Sequence, residues 1–385
     1  MTVERLRPFA ETVFATMTAK AVEYEAVNLG QGFPDTGGPA AMLERAQREI
    51  AEGNNQYAPG RGVASLRRAI AAQRDRDYGQ RFDPDTEVLV TVGATEAIAA
   101  SVLGLVEPGS EVIVLDPSYD AYGAAVALAG ATRVSVPLVA EGASWRVDEE
   151  ALEAAVTERT AMVIVNSPHN PTGAQLDLAG VARVCVRHDL LALSDEVYEH
   201  LLYDARAHRP LALEDGMRER TVTVSSAAKT FSATGWKTGW AMAPAPLLDG
   251  VHKAKQFLTF VGATPFQPAV AYALDNEDAW VRKQVESLGR RRTLLAEGLQ
   301  EAGFRVHDRH GTYFLIAELP DAYEDDGVEF CLALPEKAGV AAIPVQVFCA
   351  DQEPWQRLVR FAFCRKEKTL REAVKRLKAV ELAEM

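Results

Sequence analysis

Between residues 87 and 243 the chain alternates short apolar runs with helix-like segments, and this alternation restricts the fold more than any other feature. The runs cover residues 88–92, 112–115, 162–165, 190–194 and 221–224. Runs of this kind are typical of buried strands, and strands that alternate with helices build an α/β sheet. Such sheets form their sites where strands end at the carboxyl edge. We therefore predict an α/β fold whose site is assembled from the residues that follow these strands.

The composition excludes several classes of protein. The 385 residues carry a formal net charge of −13, whereas nucleic acids and anionic membranes require a basic surface. No apolar run approaches the roughly 20 residues of a membrane span, and the first residues contain no apolar signal region. The seven histidines show no metal-binding spacing. We expect a cytoplasmic protein with small-molecule partners, no nucleic acid, no membrane and no metal.

Lys229 lies in the segment that follows the last of these strands. Ser226 precedes it by three positions and Lys237 follows it by eight, so an amine, a hydroxyl and a second cation are close in sequence. This spacing describes a lysine held near a phosphate and a flat ring. For Lys229 taken alone, the alternative is a loop lysine with no chemical role.

Three earlier strand ends carry groups suited to the same kind of ligand. Gly93, Ala94 and Thr95 open a helix, and its unpaired backbone N–H groups and the Thr95 hydroxyl predict an anion site. Tyr119 follows the second apolar run, where the alternative is an ordinary rim aromatic. Asn170 lies in an Asn-Pro-Thr-Gly turn after the third run, and its amide can donate to a ligand oxygen, although such turns often only reverse the chain.

Asp195 follows the fourth apolar run. A carboxylate at the edge of a sheet is costly unless it is paired, and a cationic ring nitrogen would pair it. Tyr198 comes three residues later, where its hydroxyl can reach the same ligand. The sequence predicts Glu196 and Glu199 to be ordinary surface or structural charges.

Arg360 stands in an otherwise apolar strand predicted over 358–363. A buried guanidinium needs an anion, and its fork suits a carboxylate, so the alternatives are a substrate carboxylate and a structural ion pair. Gly30 and Gly32 form a G-x-G loop that lacks the strand-loop-helix frame of a dinucleotide fingerprint. A backbone without side chains permits the close approach of a ligand.

Together these segments resemble the fold-type I pyridoxal-phosphate aminotransferases from about residue 27 to residue 370. The resemblance depends most on the segment around Lys229 and on Arg360 in its Arg-Phe-x-Phe context. The loop over 28–35 and the lysine at 237 are similar to the kynurenine, glutamine and methionine aminotransferase subgroup. Longer stretches resemble actinobacterial N-succinyldiaminopimelate aminotransferases, namely 166–172, 264–270 and 334–344.

The resemblance implies pyridoxal 5′-phosphate as the cofactor. Lys229 would form a Schiff base with it and move the substrate proton, while Asp195 would hold the ring nitrogen. Asn170 and Tyr198 would hold the ring oxygen, and Tyr119 would stack on the ring. The residues implied to hold the phosphate are Gly93, Ala94, Thr95, Ser226, Lys237 and, from a second subunit, Tyr57.

For the substrate, the resemblance implies that Arg360 and Gly32 bind the α-carboxylate and that Asn170 also contacts the substrate. The shared Tyr57 implies a homodimer. The reaction implied is amino transfer between an L-amino acid and a 2-oxo acid. The actinobacterial subgroup implies N-succinyl-LL-2,6-diaminopimelate and 2-oxoglutarate, in lysine biosynthesis.

Other functions use the same residues and stay open at this point. A kynurenine, glutamine or methionine aminotransferase and a cysteine-conjugate β-lyase would need the same site. A cofactor-binding regulator without catalysis is a different class, in which this fold is joined to a DNA-binding module. We expect no such module, because the chain begins close to the fold.

The family fold implies a large domain with a seven-stranded, mostly parallel sheet between helices and a smaller α+β domain built from both chain ends. We predict an N-terminal arm and part of the small domain over 1–45. The large domain is predicted over 46–284 and the rest of the small domain over 285–385.

Overall fold

The computed structural model describes residues 2–9, 12–307 and 310–380 and contains the predicted alternation of strands and helices. The strands are β1 Val27–Asn28, β2 Val88–Val92, β3 Glu111–Asp116, β4 Thr132–Pro137, β5 Val139–Glu141, β6 Ser144–Arg146, β7 Thr160–Asn166, β8 Leu191–Asp195, β9 Thr221–Ser226, β10 Thr238–Met242, β11 Arg305–Val306, β12 Phe314–Glu318, β13 Val340–Ala341, β14 Ile343–Pro344 and β15 Leu358–Ala362. The α-helices are α1 Val13–Glu23, α2 Ala40–Ala51, α3 Ala64–Tyr78, α4 Gly93–Leu105, α5 Asp120–Leu128, α6 Glu149–Ala154, α7 Ala179–Arg187, α8 Ala227–Thr230, α9 Ala245–Lys255, α10 Gln267–Asn276, α11 Asp278–Glu301, α12 Gly327–Ala338 and α13 Glu367–Lys378. In these three ranges no helix has the length and apolar character needed to cross a membrane.

Seven strands form the central sheet in the order β2-β10-β9-β8-β7-β3-β4. Neighbouring strands run parallel except at β10, which lies antiparallel to both β2 and β9. The predicted fold class, a mostly parallel seven-stranded sheet between helices, is therefore confirmed.

Both faces of this sheet are covered, which explains why its strands are apolar without alternation. In β3, Val112 and Val114 pack in one core with residues of α4 and α5. Ile113 lies between these two valines and Leu115 follows them. Both pack in a second core with residues of α7. Because successive side chains of a strand point to opposite faces, a strand with helices on both sides needs apolar residues at every position.

The strand ends that carry the predicted site residues meet at one edge of the sheet. Asp195 ends β8 and Ser226 ends its parallel neighbour β9. Because β10 runs in the opposite direction, its first residue, Thr238, lies opposite Val92 at the carboxyl end of β2. Lys237, directly before Thr238, is thereby brought to the same edge as the ends of β8 and β9.

A second, smaller sheet has the order β11-β12-β15-β14, with antiparallel pairing. The N-terminal part of the chain joins this unit, because β1 pairs with β13 and because Met17 and Leu29 lie in the same core as residues of α11, α12 and α13. The borders at residues 45 and 284 stay predictions. Residue 284 lies inside α11, which continues to Glu301.

Candidate active site

A cavity of about 410 Å³ opens at the carboxyl edge of the central sheet. It brings together all the predicted site residues except Tyr57. Those that line it are Gly32, Gly93, Ala94, Thr95, Tyr119, Asn170, Asp195, Tyr198, Ser226, Lys229, Lys237 and Arg360.

Lys229 lies in the short helix α8, directly after β9. Its Nζ donates a hydrogen bond to the Tyr313 hydroxyl at 3.0 Å and lies 5.6 Å from the ring centroids of Tyr198 and Tyr313. Burial lowers the pKa of this amine to about 8. A useful fraction of Lys229 is therefore uncharged near neutral pH, as a nucleophile or proton acceptor must be.

Asp195 is 4% exposed, and neutral groups are its hydrogen-bond donors. One carboxylate oxygen accepts from the Tyr122 hydroxyl at 2.7 Å and the other from the Val197 N–H at 3.3 Å. In the part of the chain that the structure describes, no cation forms an ion pair with Asp195, and burial raises its pKa to about 6. The carboxylate is thus suited to a cationic ligand group such as a protonated ring nitrogen.

The start of α4 forms a cradle in which side chains are excluded. Gly93 has φ +75°, and a Cβ there would lie 3.0 Å from the Lys237 Nζ; a Cβ on Gly239 would lie 2.5 Å from the Gly93 carbonyl carbon. Lys237 itself has φ +50° and an exposed side chain that lines the cavity. Free N–H groups at a helix start beside a lysine suit a phosphate.

Arg360 lies in β15 on the opposite wall and is 1% exposed. Its two terminal nitrogens donate at 2.9 Å to the Asn170 side-chain oxygen and to the Gly30 carbonyl, while its Nε has no hydrogen-bond partner. Within the described ranges no carboxylate forms an ion pair with it, and burial lowers its pKa to about 10. Three aromatic rings surround the guanidinium, with centroids 4.0 to 5.4 Å away, namely Phe314, Phe14 and Phe348.

Gly32 and Tyr57 occupy very different surroundings. A Cβ on Gly32 would lie 2.7 Å from the Phe314 ring, so any other residue would displace the wall of the cavity. Tyr57 is 81% exposed and lies outside the cavity, where its ring packs edge-on against Phe260 at 5.4 Å. The nearby side chain of Phe257 is 85% exposed.

Two tyrosines of the site were missed by the sequence reasoning. Tyr122 bonds Asp195, and its position three residues after Tyr119, on a helix that starts at the strand end, was a signal that could have been used. Tyr313, which bonds Lys229, is 84 positions away in sequence and precedes β12 with no local signal. Its contact follows only from the packing of the small sheet onto the large one.

Glu196 and Glu199 were predicted to be surface or structural charges, and the structure corrects the first alternative because they are 1% and 3% exposed. They share Arg74, at 2.9 and 2.6 Å, and Glu196 also contacts His208 at 2.9 Å. We call these four residues the buried ion-pair cluster. It lies beside the cavity but is not part of its lining.

The residues present fit pyridoxal phosphate. An amine of lowered pKa, an unpaired buried carboxylate, an anion cradle and the partly buried ring of Tyr119 lie around one cavity. Among the described residues, no group of three or more His, Cys, Asp or Glu side chains is arranged to hold a metal ion.

Comparison with known proteins identifies the family of this chain. Residues 24–377 match the family described as aminotransferase class I and II. A probable N-succinyldiaminopimelate aminotransferase DapC of Mycobacterium tuberculosis is 60% identical over 98% of this chain and 98% of its own, and the methionine aminotransferase of Escherichia coli is 41% identical over 97% of each. The solved structure of N-succinyldiaminopimelate aminotransferase from Mycobacterium tuberculosis has a TM-score of 0.97 at 60% identity, covering 98% of this chain and all of that one. Because family match, identity and fold all extend over nearly the whole chain, it belongs to the aminotransferase class I and II family, and the predicted enzyme class is confirmed.

Proposed function

We propose that this aminotransferase binds pyridoxal phosphate on Lys229 and exchanges the amino group of N-succinyl-LL-2,6-diaminopimelate with 2-oxoglutarate. The observation that carries the cofactor assignment is a single cavity in which a buried anion, Asp195, and a buried cation, Arg360, both lack an ion-pair partner among the described residues. Ligand groups of opposite charge would complete both. The donor assignment is supported by 60% identity to a protein named for that substrate.

The cofactor supplies a carbonyl carbon for the substrate nitrogen and a ring that takes up electrons released at Cα. The protein residues do the rest. Lys229 holds the cofactor and, once released by substrate, is the base that moves the Cα proton. Asp195, fixed by Tyr122 and the Val197 N–H, stabilises a positive ring nitrogen. A unit charge pair about 4 Å apart is worth roughly 4 kcal/mol at an effective dielectric constant of 20.

Arg360 binds the carboxylate common to the amino acid and the 2-oxo acid. Its terminal nitrogens now donate to neutral oxygens, and its Nε has no partner, so a carboxylate can replace weaker acceptors with charge-assisted bonds. Since donor and acceptor occupy one site in turn, both depend on this side chain.

A second cavity adjoins the site. This cavity of about 560 Å³ shares Thr12 and Asp120 with the first and is otherwise mainly apolar, with Phe9 and Phe348 in its wall. The two cavities are therefore adjacent, and the assignment of the donor continues to depend on sequence identity.

We also propose a homodimer in which the partner subunit's Tyr57 contacts the cofactor phosphate. The exposed rings of Tyr57, Phe257 and Phe260 support it, because clustered exposed aromatics mark association surfaces. Sedimentation analysis should give twice the mass of one chain. A monomer with full activity would contradict the shared site.

Borohydride reduction followed by peptide mapping tests the cofactor assignment and should label Lys229. A label on Lys237 or elsewhere would refute it. For the donor, kcat/KM for the succinylated compound is compared with values for methionine, glutamine and kynurenine. The identity to the methionine enzyme makes methionine the second candidate. A tenfold preference for any of these three, about 1.4 kcal/mol, would overturn the donor assignment and leave the aminotransferase intact.

Pyruvate release from a cysteine conjugate, without any 2-oxo acid present, would reveal β-lyase activity.

A further inference from the structure

Tyr313 contacts Lys229 from behind the cavity lining and is held in place by its own segment. The residue before it, Thr312, has φ +63°, an uncommon conformation for a β-branched residue. Three bonds keep this segment in place: the Tyr203 hydroxyl donates to the Thr312 carbonyl at 2.6 Å, the Thr312 N–H donates to the Leu201 carbonyl at 2.9 Å, and the Phe363 N–H donates to the Tyr313 carbonyl at 2.9 Å. Tyr313 is 1% exposed, so its side chain is positioned by the fold and not by a ligand.

The hydrogen bonds of the Tyr313 hydroxyl have a fixed direction. A phenol has one proton to donate, and here it is donated to the Gly32 carbonyl. Toward Lys229 the same oxygen can therefore only accept, and it lies 3.0 Å from the amine. The Tyr313 hydroxyl thus connects the Gly32 backbone to the Lys229 amine.

Among the described residues, few other contacts fix the position of the Lys229 amine. Within the described ranges, no ion pair involves it and the Tyr313 hydroxyl is its one side-chain hydrogen-bond partner. The ring of Tyr198 meets that of Tyr313 edge-on at 5.3 Å and closes the other side. A lysine stem has four flexible bonds, so an amine that has been released from a covalent bond needs a fixed acceptor to stay in one position.

We propose that Tyr313 is a positioning residue for Lys229: its hydroxyl, oriented by donating to the Gly32 carbonyl, holds the free amine where the Cα proton is transferred. This proposal depends on the proposed role of Lys229. A displacement of about 1 Å in a reacting group can cost about a hundredfold in rate. Loss of the hydroxyl should therefore act mainly on proton transfer and little on substrate affinity.

The test compares Tyr313→Phe with Tyr203→Phe. The second variant is a matched control, because it also removes one buried phenol hydroxyl near this segment, has no contact with Lys229, and leaves the two backbone bonds of Thr312 and Tyr313 in place. Both proteins are freed of cofactor, and the rate at which an acylating reagent labels Lys229 is measured against pH by peptide mass spectrometry. An acceptor stabilises the ammonium more than the amine, so Tyr313→Phe should shift the apparent pKa of Lys229 downward and the control should leave it unchanged.

With cofactor, Tyr313→Phe should lower kcat by about 10- to 100-fold and change KM by less than about threefold. An unchanged labelling profile, equal changes in both variants, or a raised KM with unchanged kcat would each overturn the proposal. Borohydride trapping on the wild-type protein distinguishes a failure of the Tyr313 proposal from a failure of the proposed role of Lys229. If trapping marks Lys229 and the variants still behave alike, Tyr313 has no positioning role; if trapping fails, the role of Lys229 itself is wrong.

Discussion

Asp195 and Glu196 are neighbours at the end of β8, and both are buried, with 4% and 1% exposure, but their surroundings are opposite. Glu196 is paired with Arg74, contacts His208 and accepts from the Ser194 hydroxyl, and these partners hold its pKa down at about 2 despite burial. Asp195 has neutral donors, and burial raises its pKa to about 6. The chain neutralises one carboxylate and leaves the other to be neutralised by a ligand.

Two buried arginines repeat the comparison with the charges reversed. Arg74, fully buried, contacts two carboxylates, which raise its pKa above the ordinary value although burial opposes this. Arg360 is equally buried, has no ion pair among the described residues, and has a lowered pKa. A buried charge paired within the chain indicates structure, whereas a buried charge held without its counter-ion indicates a ligand site.

The largest expected effect is on turnover, from the unpaired carboxylate. Asp195→Ala should lower kcat by about two to four decades, because it removes the charge that stabilises the ring nitrogen. Asp195→Asn keeps the shape and should lose nearly as much. Stopped-flow half-reactions measure this, with melting temperature as the control for folding. Normal turnover with weakened cofactor binding would break the comparison.

The next effect is on stability, from the paired region. Arg74→Met should lower the free energy of unfolding by about 3 to 5 kcal/mol, because it leaves Glu196 and Glu199 buried without a cation. Urea denaturation measures it, and kcat per folded molecule should not change. Arg76→Met on the same helix is the control, since Arg76 makes exposed ion pairs with Asp77 and Asp278 and should cost less than about 1 kcal/mol. Equal losses would show that the cluster contributes nothing special.

The dependence of stability on pH should have opposite signs in the two regions. The pKa of Asp195 rises from 3.8 to about 6 on folding, so the cofactor-free protein loses on the order of 2 to 3 kcal/mol as pH rises through about 4 to 6. Asp195→Asn should therefore be more stable than wild type at pH 8 and not at pH 4. Glu196, whose pKa falls from 4.5 to about 2, contributes stability that is present above pH 4.5 and is lost as pH falls toward 2.

Denaturation of the cofactor-free protein between pH 3 and 8 measures both. Pyridoxal phosphate should abolish the advantage of Asp195→Asn. If the advantage of Asp195→Asn over wild type became smaller as pH rose, Asp195 would behave as Glu196 does, and the contrast between the two carboxylates would be lost.

The smallest expected effect sharpens the comparison of the arginines. Arg360→Lys keeps the charge but loses the fork, so KM for donor and for 2-oxo acid should both rise about tenfold, near 1.4 kcal/mol. Steady-state kinetics with each substrate varied in turn measures it. A rise for only one substrate would mean that the two carboxylates bind at different places.

The sequence predicted what is local or repeated. The strand at 88–92 has the predicted bounds, because an apolar run records burial directly. The cavity residues could be predicted because strand ends of a parallel sheet share one edge. Their roles stay predictions, whereas the cavity that gathers them is observed.

Long-range pairing could not be read from the sequence. Tyr122 meets Asp195 across 73 positions, and Arg74 meets Glu196 across 122. Nothing in the sequence around Asp195 or Glu196 specifies which distant residue each contacts. Apart from the family resemblance, both were simply acidic residues that follow a strand. The antiparallel direction of β10 could not be predicted either, because it depends on which strands are its neighbours in the sheet.

The antiparallel direction of β10 limits the length of the chain between Lys229 and Lys237. Because β10 runs antiparallel to β9, the short connection over 227–237 begins and ends at the same edge of the sheet. If β10 were parallel to β9, the connection would have to cross to the opposite edge, which takes a dozen or more residues. Lys229 and Lys237, eight positions apart, are therefore both brought to the cavity by this one connection. An inserted or deleted residue here would change the span between the two amines, although the same change in a surface loop would be tolerated.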